Sequence, residues 1–425
     1  MDRRSLLKTG TMGFLGLGLG GLGGCATGSG GGSGRGSSLV LAPVRVSWDR
    51  VIRTTVGLRP YRPSGFVLRA ERLDAKTVIH NYGHGGSGMS LSWGTGFMAA
   101  EMAAEQEDRR AAVIGCGVVG LTTARQLQRR GFDVTIYAMA VPPDTTSNMS
   151  LAGFTPTSGL VESGQRTAAW DAQFRRAVEI AYRQLQLLVG PKYGVSWMNG
   201  YSMQAGPPAN ASAQPAPQPS PTRPPSPPRR PSLLPAELRT GSVTLGPGEH
   251  PFPTPYVSYR PAIRIEPSIY LDALVEDVLL FGGTIVIRRF DTPRDLMSLE
   301  ESIIVNCTGL GSSTLFNDRE LTPLKGQLTV LVPQPEVDYN TFGGLRRIGG
   351  FGIHMQPRSD GIVLGGTSER GVWSLEPNEE ARRQVVEGHI ELFDAMRGLA
   401  GGARIASVGP PDHVPPVEAF FGLTS

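Results

Sequence analysis

Three glycines in one short segment have the spacing that most clearly points to chemistry in this chain. Gly115, Gly117 and Gly120 follow an apolar run that begins at residue 111, and a segment of helical pattern, 121–130, comes next. In that context the first glycine permits a tight turn, the second lets the backbone approach a pyrophosphate, and the third lets the helix pack closely on the strand. The helix N-terminus then offers N–H groups to phosphates. The sequence therefore predicts a dinucleotide-binding domain.

One part of the dinucleotide-binding pattern is missing. An acidic residue normally ends the second strand and binds the ribose hydroxyls. Here the second strand is predicted at 132–137, and the next three residues are Ala-Met-Ala. Asp133 comes too early, and Asp144 falls in a later loop. The sequence therefore predicts that ribose is bound by other groups, or with reduced affinity.

A second glycine-rich segment and an arginine lie upstream. Residues 78–88 read Val-Ile-His-Asn-Tyr-Gly-His-Gly-Gly-Ser-Gly, and residues 55–63 read Thr-Val-Gly-Leu-Arg-Pro-Tyr-Arg-Pro. A glycine loop lets the backbone approach a ligand closely. The guanidinium of Arg59 is suited to bind a carboxylate through two parallel hydrogen bonds. The commoner fate of an arginine is a surface position or an ion pair.

Several segments together resemble the D-amino-acid oxidase family of FAD-dependent oxidoreductases. They are residues 55–63, 78–88, 144–148 with 151–156, 303–309 and 325–327. The resemblance implies an α/β fold, with a Rossmann-like, dinucleotide-binding FAD domain and a second, mixed-sheet substrate domain. It also implies FAD as the cofactor, a small-molecule amino acid or related amine as the substrate, and oxygen or another electron acceptor.

The resemblance assigns roles to individual residues. Arg59 would bind the substrate carboxylate, and the Gly86 carbonyl would accept a hydrogen bond from the substrate amine. Ser90 would place a hydroxyl near the pyrimidine edge of the flavin. The residues expected to contact the cofactor are Gly85, Gly86, Ser87, Gly88, Met89, Ser90, Gly115, Gly117, Val118, Gly120, Thr145, Thr146 and Ser147.

Three positions depart from the family's pattern at the substrate face. Where the family carries tyrosines this chain has His354 and Gly350, and Thr155 stands in place of a glutamine. We expect His354 to donate a hydrogen bond to a carboxylate, which would make activity depend on pH near neutrality. The alternative is a solvated strand histidine. His84 is expected to be a structural residue of its loop. These departures affect the prediction of the substrate more than the prediction of the flavin cofactor.

The order of the motifs differs from that of the family. The arginine segment and the glycine loop come at the C-terminal end of the family, whereas here both precede residue 111. The chain therefore resembles a circular permutation; the alternative is a partial copy that completes no site. The predicted parts are an export signal and tether at 1–38, a permuted segment at 39–110, the FAD-binding core and the start of the substrate domain at 111–203, a Pro-rich disordered insert at 204–250, and the substrate domain with the remaining FAD-domain strands at 251–425.

The first residues resemble an export signal. Arg3 and Arg4 precede a mildly apolar, glycine-rich run, as in twin-arginine signals. Residues 22–25, Leu-Gly-Gly-Cys, resemble a lipoprotein cleavage box that would lipidate Cys25; the alternative is cleavage nearby without a lipid. Twin-arginine export carries folded proteins, which suits an enzyme that folds around FAD. We expect a periplasmic or cell-surface protein of a bacterium, with a membrane anchor where Cys25 is lipidated.

Composition narrows the remaining functions. The net charge of +4 is small and dispersed, which argues against nucleic acid as a partner. Cys116 and Cys307 are expected to be small core residues, and no spacing suggests a metal site. The leading hypothesis is oxidative deamination of a D-amino acid or related amine. The alternatives are a flavoenzyme of the same fold that acts on another CH–NH or CH–OH donor, and a non-catalytic flavin-fold lipoprotein.

Overall fold

The computed structural model describes residues 39–206, 232–348 and 351–401. The leader with Cys25, most of the Pro-rich stretch, Gly350 and the residues after 401 lie outside the described residues. Predictions made for those positions are therefore not examined by the structure. Among the described residues, no helix combines the length and the apolar character needed to cross a bilayer.

Strands and helices are numbered in chain order. The strands are β1 Val51–Tyr61, β2 Val67–Leu73, β3 Lys76–Tyr82, β4 Arg110–Ile114, β5 Asp133–Ala138, β6 Val195–Gln204, β7 Val243–Leu245, β8 Tyr256–Ile265, β9 Thr284–Ile287, β10 Ile303–Asn306, β11 Thr322–Leu331, β12 Tyr339–Ile348, β13 Phe351–Arg358, β14 Gly361–Gly365 and β15 Glu369–Arg370. The helices are α1 Gly88–Ala104, α2 Val118–Gln128, α3 Ala168–Leu187, α4 Pro267–Leu280, α5 Ser312–Leu315 and α6 Glu379–Gly401.

Six strands form what we call the nucleotide sheet, in the order β2-β3-β10-β4-β5-β9. All neighbours in it are parallel except β2, which is antiparallel to β3. β3 and β10 are buried along their whole length, as expected for strands covered on both faces. The GxGxxG turn follows β4 and therefore lies at the C-terminal edge of a parallel sheet, where α/β proteins bind ligands.

Small residues set the packing of α1. A Cβ atom at Gly94 would overlap the carbonyl oxygen of Ala177 in α3, and one at Gly96 would lie 3.1 Å from the Thr123 backbone in α2. The two glycines therefore let three helices approach closely. The helix begins at Gly88, although glycines have low helix propensity, because tertiary contacts hold its glycines in place.

The second sheet, which we call the substrate sheet, has the order β1-β11-β14-β13-β12-β6-β8-β7, with β15 paired to β11. Most neighbours are antiparallel, while β12 and β6 are parallel, so the sheet is mixed as the resemblance implied. One face packs on α6 through a core that includes Val386, Leu392 and Phe393. Since residues alternate in direction along a strand, the other face is left to line a cavity.

The predicted limits of the Pro-rich insert differ from the structure. Gln204 is the last residue of β6, and β7 pairs with β8 although it lies within the range predicted to be disordered. Leu233, Leu234 and Leu238 pack against the main core. These few apolar residues order the segment from residue 232 onward, and the averaged composition of 204–250 concealed them.

Candidate active site

One cavity of about 1890 Å³ is lined by both sheets. Its wall includes the GxGxxG turn, the threonine-rich loop, the glycine loop, Arg59 and His354. Cavities for a single small ligand are typically ~300–1,000 Å³. The volume therefore suits a dinucleotide and a second, smaller molecule together.

The GxGxxG turn leaves backbone amides open toward the cavity. Gly115 has a φ of +114°, a conformation that favours glycine. A Cβ at Gly120 would overlap the Gly115 carbonyl, so the third glycine serves close packing. Among the described residues, the N–H groups of Val119 and Gly120 have no acceptor, because they belong to the first turn of α2. Two donors and a helix dipole thus face an anion-binding position.

The threonine-rich loop lies beside this helix N-terminus. Ser147 Oγ accepts a hydrogen bond from the Val118 amide at 3.0 Å, and Thr145 Oγ1 donates to Asn148 Oδ1 at 2.7 Å. Thr145, Thr146 and Ser147 all line the cavity, as do Gly117 and Val118. The loop and the turn predicted from separate motifs therefore form one surface.

The end of β5 carries no acid, as the sequence indicated. Met139 and Ala140 line the cavity there, and the Arg288 amide donates to the Ala138 carbonyl at 2.9 Å. Past β9, Arg289 and Asp291 form an ion pair at 2.7 Å and also line the cavity. Because β9 runs parallel to β5 as its neighbour, Asp291 supplies a carboxylate at the edge where β5 has none.

The glycine loop packs against residues 153–159. A Cβ at Gly85 would overlap the Gly159 carbonyl, and one at Gly86 would lie 2.8 Å from the Ser158 carbonyl oxygen. Ser87 Oγ donates to the Ser158 carbonyl at 2.9 Å. Gly85, Gly86, Gly88 and Met89 line the cavity. The predicted loop is therefore present, but one side of it is occupied by protein backbone.

The Ser90 hydroxyl is engaged by the same segment. Its Oγ donates to the Gly153 carbonyl at 3.0 Å and accepts from the Thr155 amide at 2.8 Å. Ser90 is almost fully buried. The hydroxyl that the resemblance placed beside the flavin edge thus holds the loop that carries Thr155 in this structure.

His84 and the two described cysteines are structural in their surroundings. His84 Nε2 lies 3.0 Å from Thr95 Oγ1, its ring stacks on Phe66, and burial lowers its pKa to about 3. Burial raises the pKa of the Cys116 and Cys307 thiols to about 12. These groups are uncharged near neutrality, and both cysteines are buried as predicted.

Arg59 faces the cavity from β1, beside β11. Its Nε donates to the Leu324 carbonyl at 3.1 Å, and its Nη2 donates to the Thr367 carbonyl at 3.2 Å and to Ser368 Oγ at 3.4 Å. A Cβ at Gly326 would lie 2.9 Å from Nη2, so glycine makes room for the guanidinium. Burial lowers the pKa of Arg59. Among the described residues no carboxylate pairs with it, and its Nη1 donors have no partner.

His354 lies on β13 and faces the cavity near Arg59. A Cβ at Gly365 would overlap its ring, so the imidazole lies over that glycine of β14. Burial, followed by the positive fields of His389 and Arg59, lowers the pKa of His354 to about 3. The expectation of titration near neutrality is therefore wrong, because the side chain is half-buried beside an arginine. A neutral imidazole can still donate one N–H.

Three predicted site residues, Arg59, Gly86 and His354, line the same cavity. The structure adds three residues that no motif indicated: Gln356 donates to the Leu151 carbonyl at 2.9 Å, and Arg260 and Asn340 line the far wall. They lie on β13, β8 and β12, whose alternating pattern was the only signal available in the sequence.

Comparison with known proteins identifies the family of this chain. The FAD-dependent oxidoreductase family DAO matches residues 110–420. A D-amino-acid oxidase of Rubrobacter xylanophilus is 30% identical over 298 residues, which are 68% of this chain and 78% of the relative. A human D-aspartate oxidase is 26% identical over 296 residues, 68% of this chain and 77% of the relative. The solved glycine oxidase of Geobacillus kaustophilus has a TM-score of 0.48 and 16% identity, over 68% of this chain and 80% of that one.

Proposed function

We propose that this chain, which belongs to the DAO family of FAD-dependent oxidoreductases, oxidises the CH–NH2 group of a D-amino acid or a closely related amine. The observation that carries the proposal is Arg59. Its guanidinium faces the cavity with free Nη1 donors and, within the described residues, without a carboxylate partner. Arg59 is a partly buried cation without a counter-charge among the described residues, which is costly, and a substrate carboxylate would supply that charge. Relatives named D-amino-acid oxidase support the same class of substrate.

FAD is the cofactor of this family, and the nucleotide end of the cavity fits it. The free amides of Val119 and Gly120 suit a pyrophosphate, and Gly117 leaves the approach to them open. Bound FAD supplies the two-electron acceptor for the hydride that leaves the substrate α carbon. The chain's own residues then have to hold the dinucleotide, orient the donor and limit water.

In this proposal Arg59 holds the carboxylate, and neutral His354 donates an additional hydrogen bond to it. The Gly86 carbonyl accepts from the amine. No base is required for an amine that reacts in its neutral form. Loss of hydride from the α carbon leaves an iminium ion, and water converts this iminium ion to a keto acid and an ammonium ion.

The test uses the purified mature protein, supplied with FAD. We expect a flavin absorption spectrum that bleaches under anaerobic conditions when a D-amino acid is added and stays unchanged with its L-enantiomer. Bleaching by other amines or hydroxy acids alone would favour the alternative donor class. A bound flavin that no donor reduces would favour a protein that keeps the fold without the activity.

The alternative donor class rests on the altered substrate face. His354 stands where the family has a tyrosine, and the Thr155 amide and carbonyl are both bound, by Ser90 Oγ at 2.8 Å and Ser87 Oγ at 3.2 Å. A panel of D-amino acids, secondary amines and 2-hydroxy acids of matched size separates the two classes.

The order of the chain supports a circular permutation. Residues 51–104 supply β1, β2, β3 and α1, and the sheets are complete only with them, whereas the family match starts at residue 110. We expect a rearranged chain, with residues 39–109 moved to follow residue 425 through a flexible linker, to bind FAD and keep activity. A rearranged chain that is soluble but colourless would count against the permutation.

Export and lipidation remain proposals. Arg3, Arg4 and Cys25 motivate them. Metabolic labelling of a bacterial host with a fatty acid should mark the protein, and Cys25→Ala should remove the label. A variant with both arginines changed to lysine should remain in the cytoplasm.

A further inference from the structure

The C-terminal end of β5 lacks the residue that a dinucleotide-binding domain normally places there. In such domains an acid at the end of the second strand accepts hydrogen bonds from the ribose hydroxyls. Here β5 ends at Ala138, and the next residues, Met139 and Ala140, line the cavity without offering a carboxylate. The ribose of a bound dinucleotide therefore needs an acceptor from another part of the chain.

The segment that follows β9, residues 288–291, lies at the same end of the sheet. The Arg288 amide donates to the Ala138 carbonyl at 2.9 Å, which ties the start of this segment to the last residue of β5. The Phe290 ring meets the Tyr137 ring edge to face, with 6.0 Å between their centroids. All four residues of the segment line the cavity. The neighbouring strand thus presents its own loop where β5 ends.

Asp291 is the acid of this segment, and the turn after it fixes its backbone. The amides of Asp291 and Thr292 donate to Asp295 Oδ2, at 2.9 and 2.8 Å. Three residues separate Asp291 from the Arg288 amide at the end of β5, so the backbone between them spans at most about 11 Å. Asp291 therefore offers a carboxylate at a defined place close to the missing one.

The carboxylate of Asp291 keeps one oxygen for a ligand. Arg289 Nε donates to its Oδ1 at 2.7 Å, while its Oδ2 accepts no hydrogen bond from the part of the chain that the structure describes. Both side chains of this ion pair are more than half exposed. An exposed ion pair contributes little to stability, so the pair orients the carboxylate without making it inaccessible.

The other acids close to this edge have different surroundings. Asp295 binds the two amides of its own turn, and Glu301 accepts from the Tyr137 hydroxyl at 3.2 Å and does not line the cavity. Asp144 lines the cavity, but it precedes the loop whose Ser147 binds the N-terminus of α2. That is the pyrophosphate end, where a carboxylate has the wrong sign to bind a ligand.

We propose that Asp291 replaces the acid missing from β5 and binds the 2′- and 3′-hydroxyls of the adenosine ribose of FAD. A carboxylate has enough lone pairs to accept from both hydroxyls and still keep its bond to Arg289. The proposal requires FAD as the cofactor and no particular substrate. It is therefore tested separately from the oxidation of a D-amino acid.

The first test measures the affinity of the purified, FAD-loaded protein for its cofactor. The holoprotein is diluted in steps, free flavin is separated by ultrafiltration, and its fluorescence gives Kd. We expect Asp291→Ala to raise Kd about 10- to 100-fold, the range for loss of charge-assisted hydrogen bonds.

Asp144→Ala is the matched control, because it removes the other acid that lines the cavity among the described residues. Its Kd should stay within about 3-fold of the parent value, as for an ordinary surface substitution. An Asp291→Ala variant that binds FAD as well as this control does would overturn the proposal.

Altered ligands assign the contact to the ribose. An FAD analogue whose adenosine lacks the 2′- and 3′-hydroxyls should bind the parent protein about as weakly as FAD binds Asp291→Ala. The variant should lose nothing further with this analogue, because the two changes remove the same interaction. FMN, which has no adenosine, should bind both proteins equally. The assignment to ribose is wrong if FMN binding weakens as much as FAD binding, or if the analogue costs both proteins the same.

Two further variants separate ribose binding from damage to the loop. Asp291→Ala leaves Arg289 without its partner, so a double variant with Arg289→Met removes the uncompensated charge and should bind FAD as weakly as the single variant. Recovery of the parent Kd would instead trace the effect to the arginine and refute the role of Asp291. The melting temperature at saturating FAD reports folding, and Asp291→Asn, which keeps the side-chain shape, replaces Asp291→Ala in both tests if that variant does not fold.

Discussion

Residues 39–109 and residues 110–401 contribute in different ways to one site. The second region contains the family match, the GxGxxG turn and most of both sheets. The first region lies outside the match, yet it supplies β1 to the substrate sheet, β2 and β3 to the nucleotide sheet, and α1 to the helices packed beside it. Sequence similarity therefore locates the cofactor end of the cavity, while Arg59 and the glycine loop come from the region that it leaves out.

The two regions are joined by strand pairing, a buried ion pair and a hydrogen bond, as residues within each region are. β3 is parallel to β10 in continuous register over four residue pairs. Arg62 pairs with Asp318 at 2.8 Å, with both side chains largely buried, and Tyr82 donates to the same carboxylate at 2.8 Å. The family match begins at residue 110, but the hydrophobic cores and sheets continue across that position. Residues 39–109 are therefore part of the folded structure of the enzyme.

The largest effect is expected from adding a methyl group at two glycines that lie very close to neighbouring backbone. Gly94→Ala would separate α1 from α3, and Gly120→Ala would separate α2 from the Gly115 turn. Because both clashes involve backbone that cannot rotate away, we expect each variant to lose about 3 kcal/mol or more of unfolding free energy. Urea titration and the bound-flavin spectrum measure the two losses. Gly398→Ala on α6 meets nothing within 4 Å and serves as the control.

The comparison of the first two variants tests the framework role directly. If residues 39–109 were an appendage, Gly94→Ala would cost no more than Gly398→Ala and would leave the flavin in place. If they complete the fold, the two damaging variants lose flavin in parallel.

A smaller effect, confined to activity, is expected at Arg59. Arg59→Met should lower kcat/KM for D-amino acids about 10²- to 10³-fold through KM, since a charge pair with the carboxylate is lost, while FAD affinity stays unchanged. Arg62→Met is the matched control from the same strand segment. Because Arg62 pairs with Asp318, its loss should cost stability of about 1–3 kcal/mol and leave KM unaltered.

Steady-state kinetics and flavin titration distinguish the two arginines. A KM for Arg59→Met equal to that of the parent enzyme would remove Arg59 from the substrate site. It would also show that the first region supports the fold without supplying the site.

The sequence predicted those parts in which local chemistry dictates structure. The strand, turn and α2 follow from Gly115, Gly117 and Gly120. The bounds of α4, Pro267–Leu280, are likewise local, because proline suits a first helical turn and a glycine pair follows the helix. No comparably specific residue pattern marks β6, β8 and β12, so the sequence did not predict that Arg260 and Asn340 line the cavity. Those strands are stabilised by neighbours distant in sequence.

Local sequence patterns did not predict the surroundings of the side chains in the site. Ser90 binds a carbonyl 63 residues away in sequence, so its engagement depends on tertiary packing. The pKa of His354 was expected near neutrality, and burial beside Arg59 lowers it to about 3. A motif specifies which residue occupies a position, whereas the dielectric surroundings and nearby charges are set by the whole fold.

The last prediction concerns acid and compares one buried histidine from each region. Burial lowers the pKa of His84 to about 3. Burial also lowers the pKa of His389 to about 4, although backbone hydrogen bonds with Val385 and His354 raise it in part. Since the unfolded histidines have a pKa near ~6.5, the unfolded state binds more protons between that value and the folded pKa. Stability is therefore full above pH ~6.5 and declines as pH falls toward 4, by up to ~1.4 kcal/mol per pH unit for each histidine.

His84→Gln and His389→Gln should each reduce this slope, measured by urea unfolding between pH ~7 and ~4.5, whatever their effect at neutral pH. Gly398→Ala should keep the slope of the parent protein. If the two regions unfold as one cooperative unit, both variants change the same single transition. Two transitions, with only one responding to each variant, would show that residues 39–109 unfold independently, and the shared framework argued from β3 and β10 would then be wrong.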